Sequence, residues 1–297
     1  MTTAQQIVSK PASRFYLKAS DLEILKWLAE YHHLQPLHFQ KLSGRNIVSL
    51  RRRLRQLLEQ GYVERLTLPL ERVMPVASPP DQYVYYLGQR GLTLAKQYGL
   101  ADEAHRYNPE KSIILLPHDL LITTFHLALH LASQKANGNP QTVFWEQRRA
   151  LLQDRAYDRG EPLSVNPDAF FGLKDTTKPE GENCTYFFLE VVRAREHDYL
   201  REESSFMRKM RGFLAYHRDG GHQRRWKVSN FRVVTVAPTR TRAANLCRKM
   251  TDAGMSFKRF WFTDLSQISL DQPDRILSQI FLTPKDHTSG PLYSFRD

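Results

Sequence analysis

Residues 46–66 contain a basic amphipathic helix, and this helix constrains the fold of the segments around it. At 100° per residue its apolar side chains gather on one stripe, which has to pack against other elements. These side chains are Ile47, Leu50, Leu54, Leu57 and Leu58. Gly61 is suited to end the helix, because a residue without a Cβ adopts the left-handed conformation at low cost. Tyr62 and Val63 then begin a strand, so the pattern predicts a small helical unit that continues into a β-sheet.

The opposite side of this helix is strongly basic. Arginines and short polar residues cover that side and its flanks: Arg45, Ser49, Arg51, Arg52, Arg53, Arg55 and Gln56. Guanidinium groups bind phosphates and the edge of guanine, so this face is typical of a DNA-recognition helix. We predict that these side chains contact duplex DNA. A solvated basic helix without a ligand is the alternative interpretation.

The flanking segments favour DNA recognition. Two helices precede the basic one, and Ser20 and Glu23 have the spacing of a capping box for the first of them. A long hairpin follows, with strands over 66–73 and 83–87, and a closing helix covers 88–99. Arg72 in this hairpin is a candidate for a DNA backbone or minor-groove contact. The sequence thus predicts a winged helix-turn-helix over residues 16–100, preceded by a flexible leader over 1–15.

The charge of the whole chain agrees with a polyanionic partner. The net charge is +12 and the isoelectric point about 9.7, which favours nucleic acid over an anionic membrane surface. No apolar run approaches the ~18 residues that span a bilayer, and residues 1–15 lack the apolar core of a secretory signal. Cys184 and Cys247 are too few for a disulfide framework or a cysteine-based zinc site. We expect a cytoplasmic protein that binds double-stranded DNA and does not bind membranes.

The second half of the chain has the pattern of a separate domain. After a polar linker over 101–111, an apolar helix is followed by three strands, a helix, a strand, a helix and a strand. That order predicts a mixed sheet covered by helices over residues 112–265, with a tail over 266–297. The predicted fold class is therefore α+β or α/β.

Two carboxylates in this half fall on neighbouring predicted strands. Asp168 follows Asn166 and Pro167, and Glu190 lies within an apolar run on the next strand. If these strands are antiparallel, both carboxylates reach the same end of the sheet. With the carbonyl of Val191 they would offer hard oxygen ligands to Mg²⁺, which could activate water for DNA hydrolysis. A strand-edge cap for Asp168 and an arginine partner for Glu190 are the alternative roles.

The order and spacing of these elements resemble the PD-(D/E)xK, restriction-endonuclease-like fold. The whole chain resembles the bacterial replication-relaxation family of plasmids and integrated mobile elements. The matching motifs spread over residues 16–265: RRRLRQLLEQGYV, YYLGQRG, HDLLIT at 118–123, NPDAFF at 166–171, FLEVVR at 188–193, FRVVTVAPTR and FWFTD. The resemblance implies a winged helix followed by a nuclease-like domain, and a DNA-binding accessory role in replication or mobilisation.

The sequence departs from the nuclease pattern two residues after Glu190, where a catalytic lysine is expected and Val192 stands. Arg193 is adjacent, but strand alternation points it to the opposite face, and arginine keeps its proton near neutral pH. Arg208 or Lys209 of the following helix could replace the lysine. We therefore expect a binding scaffold that does not cut DNA. An active Mg²⁺-dependent endonuclease that uses Asp168 and Glu190 is the alternative, and a winged-helix transcription regulator is a third hypothesis.

Other candidate ligands are weaker. His118, His126 and His130 share one face of the apolar helix, but the glutamate of a helical zinc motif is missing, so we expect them to pack. Glu146 on the first strand could be a third carboxylate near the site or an exposed side chain. The residues call for no cofactor other than this tentative Mg²⁺. Because many winged helices bind repeated sites as dimers, we expect a weak homodimer, with replication or mobilisation proteins as further partners.

Overall fold

The computed structural model describes residues 15–68, 82–103, 105, 115–192, 205–255, 258–278, 280–284 and 292. The chain forms two compact units, Met1–Ile113 and Ile114–Asp297. In the described part of the chain, every helix is too short or too polar to cross a membrane.

The first unit consists of helices and one small antiparallel ribbon. Its elements are α1 (Ala19–Tyr31), α2 (Pro36–Ser43), α3 (Ile47–Glu59), β1 (Val63–Thr67), β2 (Tyr83–Leu87) and α4 (Gln89–Gln97). Strand β1 pairs antiparallel with β2, and Leu34 adds an isolated bridge to Tyr85 of β2. Three helices followed by a ribbon are consistent with the winged helix-turn-helix that the sequence predicts.

Helix α3 begins at a side-chain cap and buries three of the five predicted apolar side chains. The Asn46 side chain accepts hydrogen bonds from the backbone amides of Val48 and Ser49, at 2.9 and 3.4 Å, so it is the N-cap. Leu50, Leu54 and Leu57 are buried along one stripe. Burial of this stripe fixes which way the arginines between the leucines point.

The predicted capping box at Ser20 and Glu23 is wrong. Helix α1 begins at Ala19, and the carboxylate of Asp21 accepts a hydrogen bond of 2.7 Å from the backbone amide of Lys18. Asp21 is fully buried because Arg53 of α3 binds its carboxylate. Asp21 thus takes part both in the cap of α1 and in a tertiary ion pair, which local spacing does not reveal.

The ribbon is described only at its base. Strand β1 begins at Val63, where a strand was predicted to follow the basic helix and three residues before the predicted hairpin strand over 66–73. Leu68 still donates to the carbonyl of Gln82 at 2.8 Å. The predicted turn and Arg72 lie outside the described residues, as do most of the predicted leader and linker.

The second unit contains a five-stranded mixed sheet and a separate hairpin. Its elements are α5 (Leu116–Lys135), β3 (Gln141–Glu146), α6 (Arg149–Leu152), β4 (Asp154–Asp158), β5 (Glu161–Val165), β6 (Ala169–Lys174), β7 (Cys184–Val191), α7 (Ser205–Arg218), α8 (Gly221–Trp226), β8 (Arg232–Ala237), α9 (Arg240–Asp252) and β9 (Phe260–Asp264). The strand order is β3-β6-β7-β8-β9, antiparallel from β3 to β7 and parallel from β7 to β9. The predicted mixed sheet with flanking helices is therefore confirmed.

Elements cover both faces of this sheet. On one face Phe170 and Phe188 belong to an apolar core with residues of α7, α9 and the β4–β5 hairpin. On the other face Phe171 packs against Phe125 of α5, with 5.9 Å between ring centroids. Because side chains alternate along a strand, burial of both Phe170 and Phe171 requires a covering layer on each side.

Four parts of this unit are absent from the sequence prediction, and one of them is the short helix α6. The hairpin β4–β5 and the short helix α8 lie in segments that we did not assign. Part of the predicted tail packs, since a 3₁₀ turn at Pro273–Leu277 lies against α5 and Leu282 forms a bridge with Phe262 of β9. The compact second unit thus continues past residue 265.

Candidate functional site

The outward face of α3 presents arginines to solvent. Arg51, Arg52 and Arg55 are exposed, and so is Ser49. Arg52 and Arg55 form no ion pair with any described residue. Their guanidinium groups can therefore bind an anion without breaking an existing contact.

Val48 lies at the N-terminal end of the same face. Its side chain is 71% exposed, next to the Asn46 cap. In a recognition helix the N-terminal residues approach the base edges, where a branched apolar side chain can contact the thymine methyl group.

Arg53 of α3 points toward α1 instead. Its guanidinium donates to the Asp21 carboxylate at 2.7 Å, to the carbonyl of Tyr16 at 2.7 Å and to the Gln56 side chain at 2.8 Å. It also lies 4.7 Å from the ring centroid of Phe15, and its hydrogen bonds with Asp21 raise its pKa. Arg53 therefore holds α3 to α1 and to the residues just before α1. Gln56 belongs to the same group of hydrogen bonds.

Arg45 has a partner as well. Its guanidinium lies 2.9 Å from the carboxylate of Glu23 on α1, in an exposed pair that water and salt weaken. Of the predicted DNA contacts, Ser49, Arg51, Arg52 and Arg55 thus form the exposed set.

Arg65 adds a cation that the sequence prediction missed. It is exposed on β1, and its guanidinium lies 4.1 Å from the ring centroid of Tyr83 on β2. Alternation along β1 would place Arg65 on the same face as the buried Val63, so the strand period gave no signal that could have identified it.

In the second unit, the strand register brings Asp168 and Glu190 together. Ala169 pairs with Leu189, so the next pair outward is Asp168 and Glu190. The Asp168 amide donates to the carbonyl of Leu189 at 2.9 Å, and its carboxylate accepts from the amide of Val191 at 2.7 Å. The two carboxylates therefore lie side by side, as the spacing predicted.

Glu190 is buried and receives an ammonium group from the next helix. The Nζ atom of Lys209 on α7 pairs with Oε2 of Glu190, whereas Oε1 has no hydrogen-bond partner among the described residues. Burial raises the pKa of Glu190 to about 8, against the opposing charge of Lys209. This carboxyl group therefore holds a proton more tightly than an exposed glutamate does.

His118 of α5 completes the site, although its sequence position predicted only a packing role. Its Nε2 atom lies 3.2 Å from Oδ2 of Asp168 and 3.1 Å from the carbonyl oxygen of Val191. Although burial alone would raise the pKa of Asp168, the hydrogen bond with His118 and the charge of Lys209 lower it. The signal was HDLLIT at 118–123, one of the motifs that carry the family resemblance.

A cavity of about 510 Å³ opens onto this group. Asp168, Lys209 and His118 line it together with Arg149 and Arg208. Arg208 is 2.9 Å from the carboxylate of Glu161, whereas Arg149 is exposed and forms no ion pair with a described residue. The cavity is thus lined by carboxylate and basic side chains together.

The position expected for a catalytic lysine is apolar. Val192 is buried, and its amide donates to the carbonyl of Val236 at 2.9 Å. Arg193 lies outside the described residues. An ammonium group nevertheless reaches Glu190, from Lys209 of α7.

The remaining candidates have structural partners. The ring of His126 stacks on Trp145 with 3.9 Å between centroids, and His130 lies 3.0 Å from the Gln134 amide nitrogen. Glu146 is bound by Arg148 at 2.6 Å. Across the described residues, no three His, Cys, Asp or Glu side chains are grouped so that they could hold a metal ion.

Comparison with known proteins finds a family model that covers both groups of candidate residues. No curated protein and no solved structure matches the chain. A family model described as replication-relaxation matches residues 25–231, a span that begins in α1 and includes α3, Asp168, Glu190 and Lys209. Because this match covers more than half of the sequence and both groups of candidate residues, the chain belongs to the replication-relaxation family.

Proposed function

We propose that this protein is a DNA-binding accessory factor for the replication or mobilisation of a plasmid or other mobile element. Family membership suggests a role in the replication or relaxation of such DNA. The observation that carries the proposal is the pair of exposed arginines on α3, Arg52 and Arg55, which have no ion-pair partner among the described residues.

The physics of the contact favours duplex DNA. An α-helix fits the major groove, where arginine can bind guanine through two hydrogen bonds and can also neutralise phosphates. Arg51, Arg52 and Arg55 supply the cations, and Ser49 and Val48 supply short polar and apolar contacts between them. The net charge of +12 would accelerate encounter with the polyanion. We further propose a weak homodimer on repeated half-sites, with replication or mobilisation proteins as other partners.

Charge reversal on α3 tests this proposal. We expect the full-length variant Arg52→Glu/Arg55→Glu to bind a duplex at least a hundredfold more weakly than the parent at one fixed salt concentration. The matched control is Lys26→Glu/Arg248→Glu, which changes the net charge equally at exposed positions on α1 and α9. Equal loss in both variants, or in neither, would show that α3 is not the contact.

A second function is favoured by the position of Lys209. We propose as the alternative that the Asp168–Glu190 cavity is the centre of a Mg²⁺-dependent DNA endonuclease. The donor set suits a hard cation, since it offers two carboxylates and the carbonyl of Val191. Glu190 Oε1 is a buried oxygen without a hydrogen-bond partner among the described residues, which a cation would satisfy. His118 and Lys209 contact the other oxygens, so a cation would compete with these two groups.

In that case the bound metal would supply an activated water and stabilise the charge that develops on the phosphate. The side chains of this chain would have separate tasks. His118 orients the Asp168 carboxylate through its Nε2 atom. Lys209, released from Glu190, would place a positive charge beside a phosphate oxygen, and Arg149 would hold the next phosphate along the strand.

Supercoiled plasmid incubated with Mg²⁺ or Mn²⁺ distinguishes the two functions. Nicking by the parent that disappears in Asp168→Ala and persists in Asp252→Ala, an exposed carboxylate on α9, would establish the endonuclease. An intact plasmid with the parent protein under both metals would leave the accessory DNA-binding role as the proposed function.

A further inference from the structure

The β4–β5 hairpin has one face packed into its unit and one face open to solvent. The strands turn at Arg159 and Gly160, whose φ angles are 50° and 86°. Ala156, Leu163 and Val165 are buried in the core beneath α7. Because side chains alternate along each strand, their neighbours must face outward.

The outward face of the hairpin, which we define as Arg155, Tyr157, Pro162 and Ser164, combines a cation with an exposed ring. The register pairs Arg155 with Ser164 and Tyr157 with Pro162. Tyr157 is 55% exposed, so its ring is open to contact with a ligand. The Arg155 side chain is exposed and forms no ion pair with a described residue, and the same is true of Arg159 at the turn.

The acidic residues of the hairpin are already neutralised from the other side. Arg211 of α7 lies 3.0 Å from the carboxylates of both Asp158 and Glu161, and Arg218 lies 3.1 Å from Asp158. These contacts brace the hairpin on α7. They also leave the charge of Arg155 and Arg159 uncompensated on the outward face and at its turn.

The outward face runs into the cavity that holds Asp168. Ser164 lines this cavity, and its hydroxyl accepts a hydrogen bond of 2.7 Å from the Asn166 side chain. Pro162, opposite Tyr157, is two residues from Ser164, or about 7 Å along the strand. A ligand that contacts Tyr157 can therefore extend directly to the carboxylates.

We propose that the outward face of the β4–β5 hairpin binds single-stranded DNA. A base stacks on Tyr157, Arg155 and Arg159 contact the phosphates on either side, and the strand continues past Ser164 into the cavity. Single-stranded nucleic acid is the occupant that matches, because unpaired bases stack on exposed aromatic rings while nearby cations bind the backbone. This inference extends the proposed function to a second DNA contact that does not require α3.

The test uses the full-length chain with Arg52→Glu/Arg55→Glu as the background, so that duplex binding through α3 is removed. The probe is a fluorescently labelled oligothymidylate of about 16 nucleotides, at one fixed salt concentration. We expect Tyr157→Ala to weaken binding about tenfold, and Tyr157→Phe to retain it, because the phenylalanine ring still stacks. Arg155→Ala/Arg159→Ala should weaken binding and make its salt dependence less steep.

Tyr98→Ala is the matched control, since Tyr98 is 61% exposed on the other unit. Its affinity for the oligonucleotide should equal that of the background. Ultraviolet cross-linking of the same probe should map to Tyr157, which tests the contact without a substitution at that residue. Unchanged affinity of Tyr157→Ala, a cross-link elsewhere, or no binding by the background protein would overturn the inference, including in favour of a protein partner on this face. Failure here leaves duplex binding through α3 untouched, and loss of duplex binding leaves this test interpretable.

Discussion

The outward face of α3 and the Asp168 cavity both contain several charged side chains. The two regions differ in whether these side chains already have a charged partner. On α3, Arg52 and Arg55 are exposed and have no ion-pair partner in the described chain. In the cavity, Asp168 is held by His118 and Glu190 by Lys209. The exposed arginines can exchange counterions for phosphates at little cost, whereas a ligand of the cavity has to displace existing partners. We infer that α3 is suited to general affinity for DNA and that the cavity is suited to selective binding or chemistry.

Substitution of Arg53 tests this comparison most strongly. Arg53 lies on α3, but like the cavity residues it is largely buried and has a charged partner. Its side chain is 16% exposed and pairs with Asp21, which is fully buried. Arg53→Ala leaves that carboxylate without its cation, so we expect the free energy of unfolding to fall by about 3–5 kcal/mol. Arg52→Ala should change it by no more than about 0.5 kcal/mol. Urea denaturation of the two variants measures the difference.

The control for Arg53 removes the charge that it neutralises. In Arg53→Ala/Asp21→Asn the buried group is neutral and can still accept a hydrogen bond from the Lys18 amide, so part of the lost stability should return. Equal free energies of unfolding for Arg53→Ala and Arg52→Ala would mean that the inward and outward arginines of α3 contribute equally to stability.

The protonation of Glu190 should have a second, somewhat smaller effect on the free energy of unfolding, and this effect depends on pH. Burial raises its pKa to about 8, with Lys209 opposing and Asp168 adding to the rise. Between about pH 4.5 and pH 8 the folded protein holds a proton that the unfolded chain has released. The free energy of unfolding should therefore fall as pH rises through this window, by on the order of a few kcal/mol. Denaturation curves across this pH range measure the fall.

Glu190→Gln isolates this contribution, because the amide does not titrate. The difference in unfolding free energy between parent and variant should change steadily from pH 5 to pH 8. Asp168, whose pKa is lowered, contributes only at more acidic pH. Parallel curves for parent and variant would contradict the assignment of a protonated Glu190 to this site.

Features that depend on residues close together in the sequence could be predicted. The direction of Arg52 and Arg55 depends only on the helical period and on leucines within one turn, so it could be predicted. The adjacency of Asp168 and Glu190 needed strand order alone. Short-range patterns were therefore enough to select the candidate residues of both groups.

The partners of these residues could not be predicted, because they come from elements distant in sequence. Arg53 meets Asp21, 32 residues earlier in the chain, and Asp21 rather than Glu23 takes part in the cap of α1. Lys209 reaches Glu190 from the next helix, and His118 reaches Asp168 from α5. Hairpin β4–β5 was missed because DRAYD and EPLSV are short and polar, and a proline within a run argues against a strand.

The most direct test of the account is the salt dependence of duplex binding by the full-length protein. If about six phosphates are neutralised, the logarithm of the association constant should fall against the logarithm of salt concentration with a slope near −5. Arg52→Ala/Arg55→Ala should bind about tenfold more weakly and lower the steepness of that slope by about 2, since each lost phosphate contact removes about 1. A variant with the slope and affinity of the parent would contradict the claim that the outward arginines of α3 bind DNA.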